Sequence, residues 1–182
     1  MTTPAIATFR FPPDTCIPQA QPRAGGKVSL ESPALEVMTD LAVVKAETIE
    51  PDTALAQAEK VMIHRGVRSL FVTSIFPCIE GLVTAADLIG DKPMRVVGLR
   101  QIRHQDLRVA DVMTELKDLD AIDYDELKKS DVGNVVATFE KLKCTHVLVV
   151  QSAKLAGPAR IRGVISVTQV ERQLGKSILT LA

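Results

Sequence analysis

Two short stretches carry the residue types best suited to chemistry in this chain. In "GLVTAADLI" (Gly81 to Ile89), Thr84 and Asp87 stand three residues apart, where an apolar run gives way to a helical pattern. "GVISVTQVE" (Gly163 to Glu171) repeats the arrangement with Ser166 and Gln169. A hydroxyl followed three residues later by an acid or amide fits a capping box: the hydroxyl accepts from a backbone N–H, and the later side chain reaches back to the cap. Both copies satisfy that description. Their capacity for a ligand differs, because a carboxylate has two charge-assisted acceptor oxygens and an amide has one acceptor and a donor.

Little else in the chain suggests catalysis. The chain has no G-x-S-x-G and no G-x-x-x-x-G-K-[ST], so hydrolase-elbow and phosphate-loop signatures are missing. His64, His104 and His146 are scattered and fall into no metal-ligand spacing. Cys16, Cys78 and Cys144 are odd in number and far apart, which fits a reduced, cytoplasmic protein better than a disulfide framework. A formal net charge of +0 with no Trp and one Tyr argues against nucleic-acid binding. No apolar run approaches the roughly 18 residues a membrane span needs, and "MTTPAIATFR" does not read as a secretory signal. With 46% hydrophobic and 24% charged residues in 182, a packed globule is expected.

The elements that must position these residues come as a repeat. "EVMTDL" (Glu36 to Leu41) recurs as "DVMTEL" (Asp111 to Leu116). Leu55, Ala58 and Met62 lie at helical spacing, as do Val132, Val135 and Phe139, and Thr53 and Ser130 stand where N-caps belong. Each helix leads into a β-rich run, "SLFV" or "VLVV", then a loop, a second strand and a second helix. With first strands near Val43 to Ile49 and Ala121 to Tyr124, each copy reads β-α-β-β-α. The expected fold class is α+β. The expected units are a Pro-rich extended arm (1–32), a first repeat (33–91), a linker broken by Pro93 and Gly98 (92–108), a second repeat (109–175) and a tail (176–182). The arm offers Phe9 and Phe11 for packing on the body. The "SIFPCIE" loop (Ser74 to Glu80) is apolar where a polar turn is usual, and exposed patches of that kind are unfavourable in a free monomer.

The "VMT" segments, the "GVRSLFV" strand and the twice-occurring turn from strand to [ST]-x-x-[DQ] together resemble the cystathionine-β-synthase (CBS) domain, here in tandem, as in a Bateman module. The resemblance covers roughly Ser32 to Gly175. It implies two pseudo-symmetric units packed through their sheets, homodimer formation, and clefts for adenosine-containing ligands: AMP, ADP, ATP or S-adenosylmethionine. It also implies regulation of a separate protein and no catalysis.

Carried onto this sequence, the resemblance implies that Asp87 accepts from both ribose hydroxyls, with Thr84 and Ser166 near the ribose-phosphate. Arg68 and His146 would face the phosphate, and Thr48 and Val67 the adenine. Tyr124 reads either as a stacking ring or as core. Gln169 matches a diol poorly, which implies a ribose clamp kept in the first copy and degraded in the second. The competing function is a ligand-free interaction scaffold.

Overall fold

The structure is a computed structural model that describes residues 26–151 and 160–178. Phe9, Phe11 and Cys16, most of the loop joining the last two strands, and the end of the tail lie outside the described residues.

Eight strands form two four-stranded sheets among the described residues. The first contains β2 (Thr48–Ile49), β3 (Ser69–Val72), β4 (Gly81–Thr84) and β5 (Thr114–Glu115), in that order. The second runs β6 (Ala121–Asp123), β7 (His146–Gln151), β8 (Arg160–Ser166) and β1 (Thr39–Asp40). In each sheet the first pair is parallel and the others are antiparallel. The two sheets thus have the same plan, and each copy has the expected β-α-β-β-α order.

The repeats nevertheless exchange their leading segments. β1, from the first "VMT", pairs with β8 of the second copy, and β5, from the second "VMT", pairs with β4 of the first. Glycine is required where these exchanged strands cross. A Cβ on Gly81 would run into the Thr114 carbonyl oxygen, and one on Gly163 would lie 2.6 Å from the Met38 sulfur and 2.8 Å from the Thr39 carbonyl oxygen. The equivalent glycines of the two copies therefore have one steric cause.

Each sheet is covered by its own helices. α1 (Leu55–Arg65) buries Leu55, Ala58 and Met62, and α6 (Val132–Leu142) buries Val132, Val135 and Phe139, the faces expected from helical spacing. The caps fall one residue later than the sequence suggests. Ala54 precedes α1 without a side-chain bond, and Asp131 caps α6 in a reciprocal pair with Asn134. The exchange also carries helical residues: Val109 and Val112 of α4 (Val109–Val112) join the first core, and Ala34 and Val37 of the 3-10 turn Ala34–Val37 join the second. A third cluster, of Phe71, Leu82 and Leu148 with Leu41, Ile79 and Val164 against it, packs the two sheets together.

The first strand of copy one is only Thr48–Ile49, since 41–44 turn away after β1. Tyr124 begins a short helix, α5 (Tyr124–Leu127), instead of ending a strand. After α2 (Ala85–Ile89), the expected linker is largely a ten-residue helix, α3 (Asp91–Arg100). Pro93 sits in its first turn, where the missing N–H has no helical partner in any case. The basic residues that follow are mostly paired: Arg100 with Asp111, and Arg103 with Asp106 at 2.8 Å.

Candidate functional site

Because β3 and β4 pair Ser69 with Thr84 while β7 and β8 pair His146 with Ser166, each copy brings a strand start beside a helix start. The two pairs face one cleft of about 510 Å³ across the seam between the copies, a size within the ~300–1,000 Å³ typical of ligand pockets. Ala46, Val67, Phe71 and Val164 supply apolar wall, and Ser69, Thr84, Thr145, Ser166 and Thr168 supply hydroxyls.

Val67, Arg68, Thr84, His146 and Ser166 all line this cleft. Two expected residues do not. Thr48 pairs with Phe71 on β2, and the wall is formed by Lys45, Ala46 and Glu47 just before it. Asp87 stands behind Thr84. Its Oδ2 accepts from the Thr84 backbone N–H (2.9 Å) and hydroxyl (2.7 Å), and its Oδ1 accepts from Lys92 Nζ (3.1 Å). The capping box is completed by the Asp87 N–H donating to the Thr84 hydroxyl. A carboxylate with two acceptor sites per oxygen has little capacity left for a diol in this arrangement.

The second copy is wired differently. Ser166 accepts from the Gln169 backbone N–H at 3.3 Å, and the Gln169 side-chain oxygen accepts from the Thr39 hydroxyl at 3.1 Å. Gln169 itself lines the cleft. Tyr124 does not line it. Its ring packs at the edge of the second core, with Arg162 and Lys128 over its face at 4.9 and 5.2 Å. Arg162 also holds Asp40 through two 2.8 Å bonds, which keep that carboxyl below its ordinary range.

Charge in the cleft is lopsided. Lys45, Arg68 and Arg172 line it against one carboxylate, Glu47, which Arg65 already approaches at 3.6 Å. Burial pushes the His146 pKa below its ordinary value, and the negative charge of Asp87 partly opposes this. The imidazole is therefore neutral near pH 7, with Nδ1 3.0 Å from the Thr145 hydroxyl. Lys45 and Arg172 were missed by sequence reasoning. Arg172 had a usable signal, since it stands three residues after Gln169, on the same side of α7 (Val167–Leu174). Lys45 had none.

Two matched sheets with exchanged leading strands, flanked by helices and meeting over a seam cleft, define the architecture of CBS-domain pairs, and the chain has that fold. Its likeness to solved structures supports the same class. An uncharacterized conserved protein from Pyrococcus horikoshii superposes with a TM-score of 0.57 at 20% identity, covering 85% of this chain and 100% of that one. CBSX2, solved in complex with AMP, gives 0.51 at 15% identity over 78% of this chain and 94% of its own. A CBS-domain-containing protein from Agrobacterium tumefaciens gives 0.51 at 19% identity over 71% and 84%. No protein-family profile and no curated protein matches the chain. Among the described residues, no helix is long and apolar enough to cross a membrane.

Proposed function

We propose that the chain is a non-catalytic regulatory module that takes an adenosine-containing ligand into the seam cleft. AMP, ADP, ATP and S-adenosylmethionine are the candidates. Binding there alters how the two copies, or two protomers of a homodimer, pack, and a regulated cytoplasmic protein responds. The observation that carries this reading is the shared wall. The cleft draws Val67, Arg68 and Thr84 from one copy and His146, Ser166 and Arg172 from the other, so an occupant would touch both. A ligand shifts such an equilibrium only through unequal affinity for the two packings. The likeness in fold to a protein solved with AMP supports the ligand class.

In this reading the base lies against Val67 and Ala46, with the ribose-phosphate near Arg68, Thr84, His146 and Ser166. Asp87 acts chiefly by holding the Thr84 hydroxyl, and Thr48 acts through the strand it anchors. Thermal unfolding with each candidate ligand tests it. A ligand at about 100 times its Kd adds roughly 2.7 kcal/mol, a rise of about 5–10 °C for a chain of this length. The rise should shrink in Arg68→Gln and Thr84→Val, and no rise with any of the four ligands overturns the reading.

A second reading, a ligand-free interaction scaffold, is favoured by other residues. Ile63, Ile75, Phe76 and Ile89 are each at least 70% exposed, and the Asp87 carboxylate and the Gln169 side-chain oxygen already accept from groups of the chain itself. Under that reading, Ile63→Ser or Phe76→Ser would abolish self-association or partner capture, and no nucleotide would change either.

A further inference from the structure

We infer that the seam cleft selects a ligand with more than one phosphate, and that Lys45 and Arg172 together with Arg68 form its anion subsite. The inference rests on the nucleotide reading and narrows it. Among the described residues, none of these three side chains has a hydrogen-bond or ion-pair partner, whereas Arg65, Lys92, Arg108 and Arg162 each hold a carboxylate. They come from three separate places: Lys45 from the segment before β2, Arg68 from the residue just before β3, and Arg172 from the last turn of α7.

In a chain of formal net charge +0, three unpaired cations around one concavity are a local excess. A concave wall focuses such a field on its occupant. The single carboxylate on the wall, Glu47, is already beside Arg65. A neutral His146 adds no charge, so the excess rests on the three cations alone. Each further phosphate on a nucleotide therefore meets attraction here, whereas the sulfonium of S-adenosylmethionine meets like charge. Cations from both copies sharing one polyphosphate would also draw the copies together, as a packing signal requires.

The test is isothermal titration in magnesium-free buffer at two salt concentrations, with ATP, ADP, AMP, adenosine, S-adenosylmethionine and inorganic tripolyphosphate. Wild type is compared with Lys45→Gln, Arg172→Gln and the double variant, and their unliganded melting points confirm folding. The expected order is ATP, ADP, AMP, then S-adenosylmethionine. Each substitution should weaken ATP about 3- to 10-fold, AMP less, and flatten the salt dependence. AMP or S-adenosylmethionine binding as tightly as ATP, with the double variant unchanged, overturns the inference and leaves the nucleotide reading standing. Tripolyphosphate binding as tightly as ATP, and weakened in the double variant, keeps the anion subsite and overturns the nucleotide reading. Binding by none of the six overturns both.

Discussion

At the start of α2 a lysine does what an amide does alone at the start of α7. Lys92 bridges Asp87 Oδ1 at 3.1 Å to the Met113 carbonyl at 3.3 Å. Met113 leads into β5, the strand that the second copy lends to the first sheet. In the other copy, Gln169 reaches Thr39 directly, in the strand lent in the opposite direction. Each helix start is thus tied to the exchanged "VMT" segment beside it, once through a cation and once through a neutral hydrogen bond. A carboxylate needs a positive partner to be held there, and an amide does not. The Asp-to-Gln difference between the copies has a structural cause independent of any ligand.

If the exchange shapes both copies, filling its crossing points should cause the largest damage. Gly81→Ala and Gly163→Ala each force a methyl group against a borrowed strand, and overpacking of this kind costs about 1–3 kcal/mol. Gly81→Ala should be the worse, because its obstacle is the Thr114 carbonyl backed by the Glu115 Cα, whereas the nearest obstacle to Gly163 is the flexible Met38 side chain. Urea unfolding of the two variants ranks them. A larger loss for Gly163→Ala would break the equivalence drawn between the crossings.

The tethers come next. Lys92→Met leaves the Asp87 carboxylate, whose side chain is only 17% exposed, without its cation, at an expected cost of about 1–2 kcal/mol. Gln169→Leu removes one neutral bond and should cost about 0.5–1 kcal/mol. Adding Asp87→Asn to Lys92→Met should recover part of the loss, a coupling that equilibrium unfolding of the double variant measures directly. Equal costs for the two single variants would mean that the charge at Asp87 is not what distinguishes the copies.

Much of this plan was legible in the sequence because it is local. Apolar spacing marked the buried faces of α1 and α6, β-rich runs marked β3 and β7, and the Thr84 and Ser166 motifs marked two helix starts. The exchange of β1 and β5 was not legible. "VMT" can signal a short strand, but nothing in three residues says which sheet edge it joins, and that choice depends on how the copies pack. The role of Lys92 was hidden for the same reason. Its partner carbonyl lies 21 residues away, and Pro93 beside it suggested a broken linker where a first helical turn accommodates it. Residues lining the cleft were legible where they stand at or just before a strand start, as at Val67, Arg68 and His146. Thr48 was displaced because the chain before β2 leaves the sheet.

The smallest expected effect separates the copies by pH. His146 lies in the second copy's strand but feels the charge of Asp87 in the first. Burial lowers its pKa from the ordinary 6.5, so the folded state disfavours the proton that the unfolded chain accepts. The sign follows. This contribution to stability is fully present above about pH 6.5, the unfolded value, and is lost as pH falls through the folded pKa. Melting points between pH 8 and 5 should therefore fall less steeply in His146→Gln than in the wild type. Asp87→Asn should act in the opposite direction, since removing the charge that favours the imidazolium lowers the folded pKa further and deepens the loss. If Asp87→Asn instead flattens the profile, the carboxylate does not act on this ring across the seam, and the coupling between the copies lies in their packing and exchanged segments rather than in this charge.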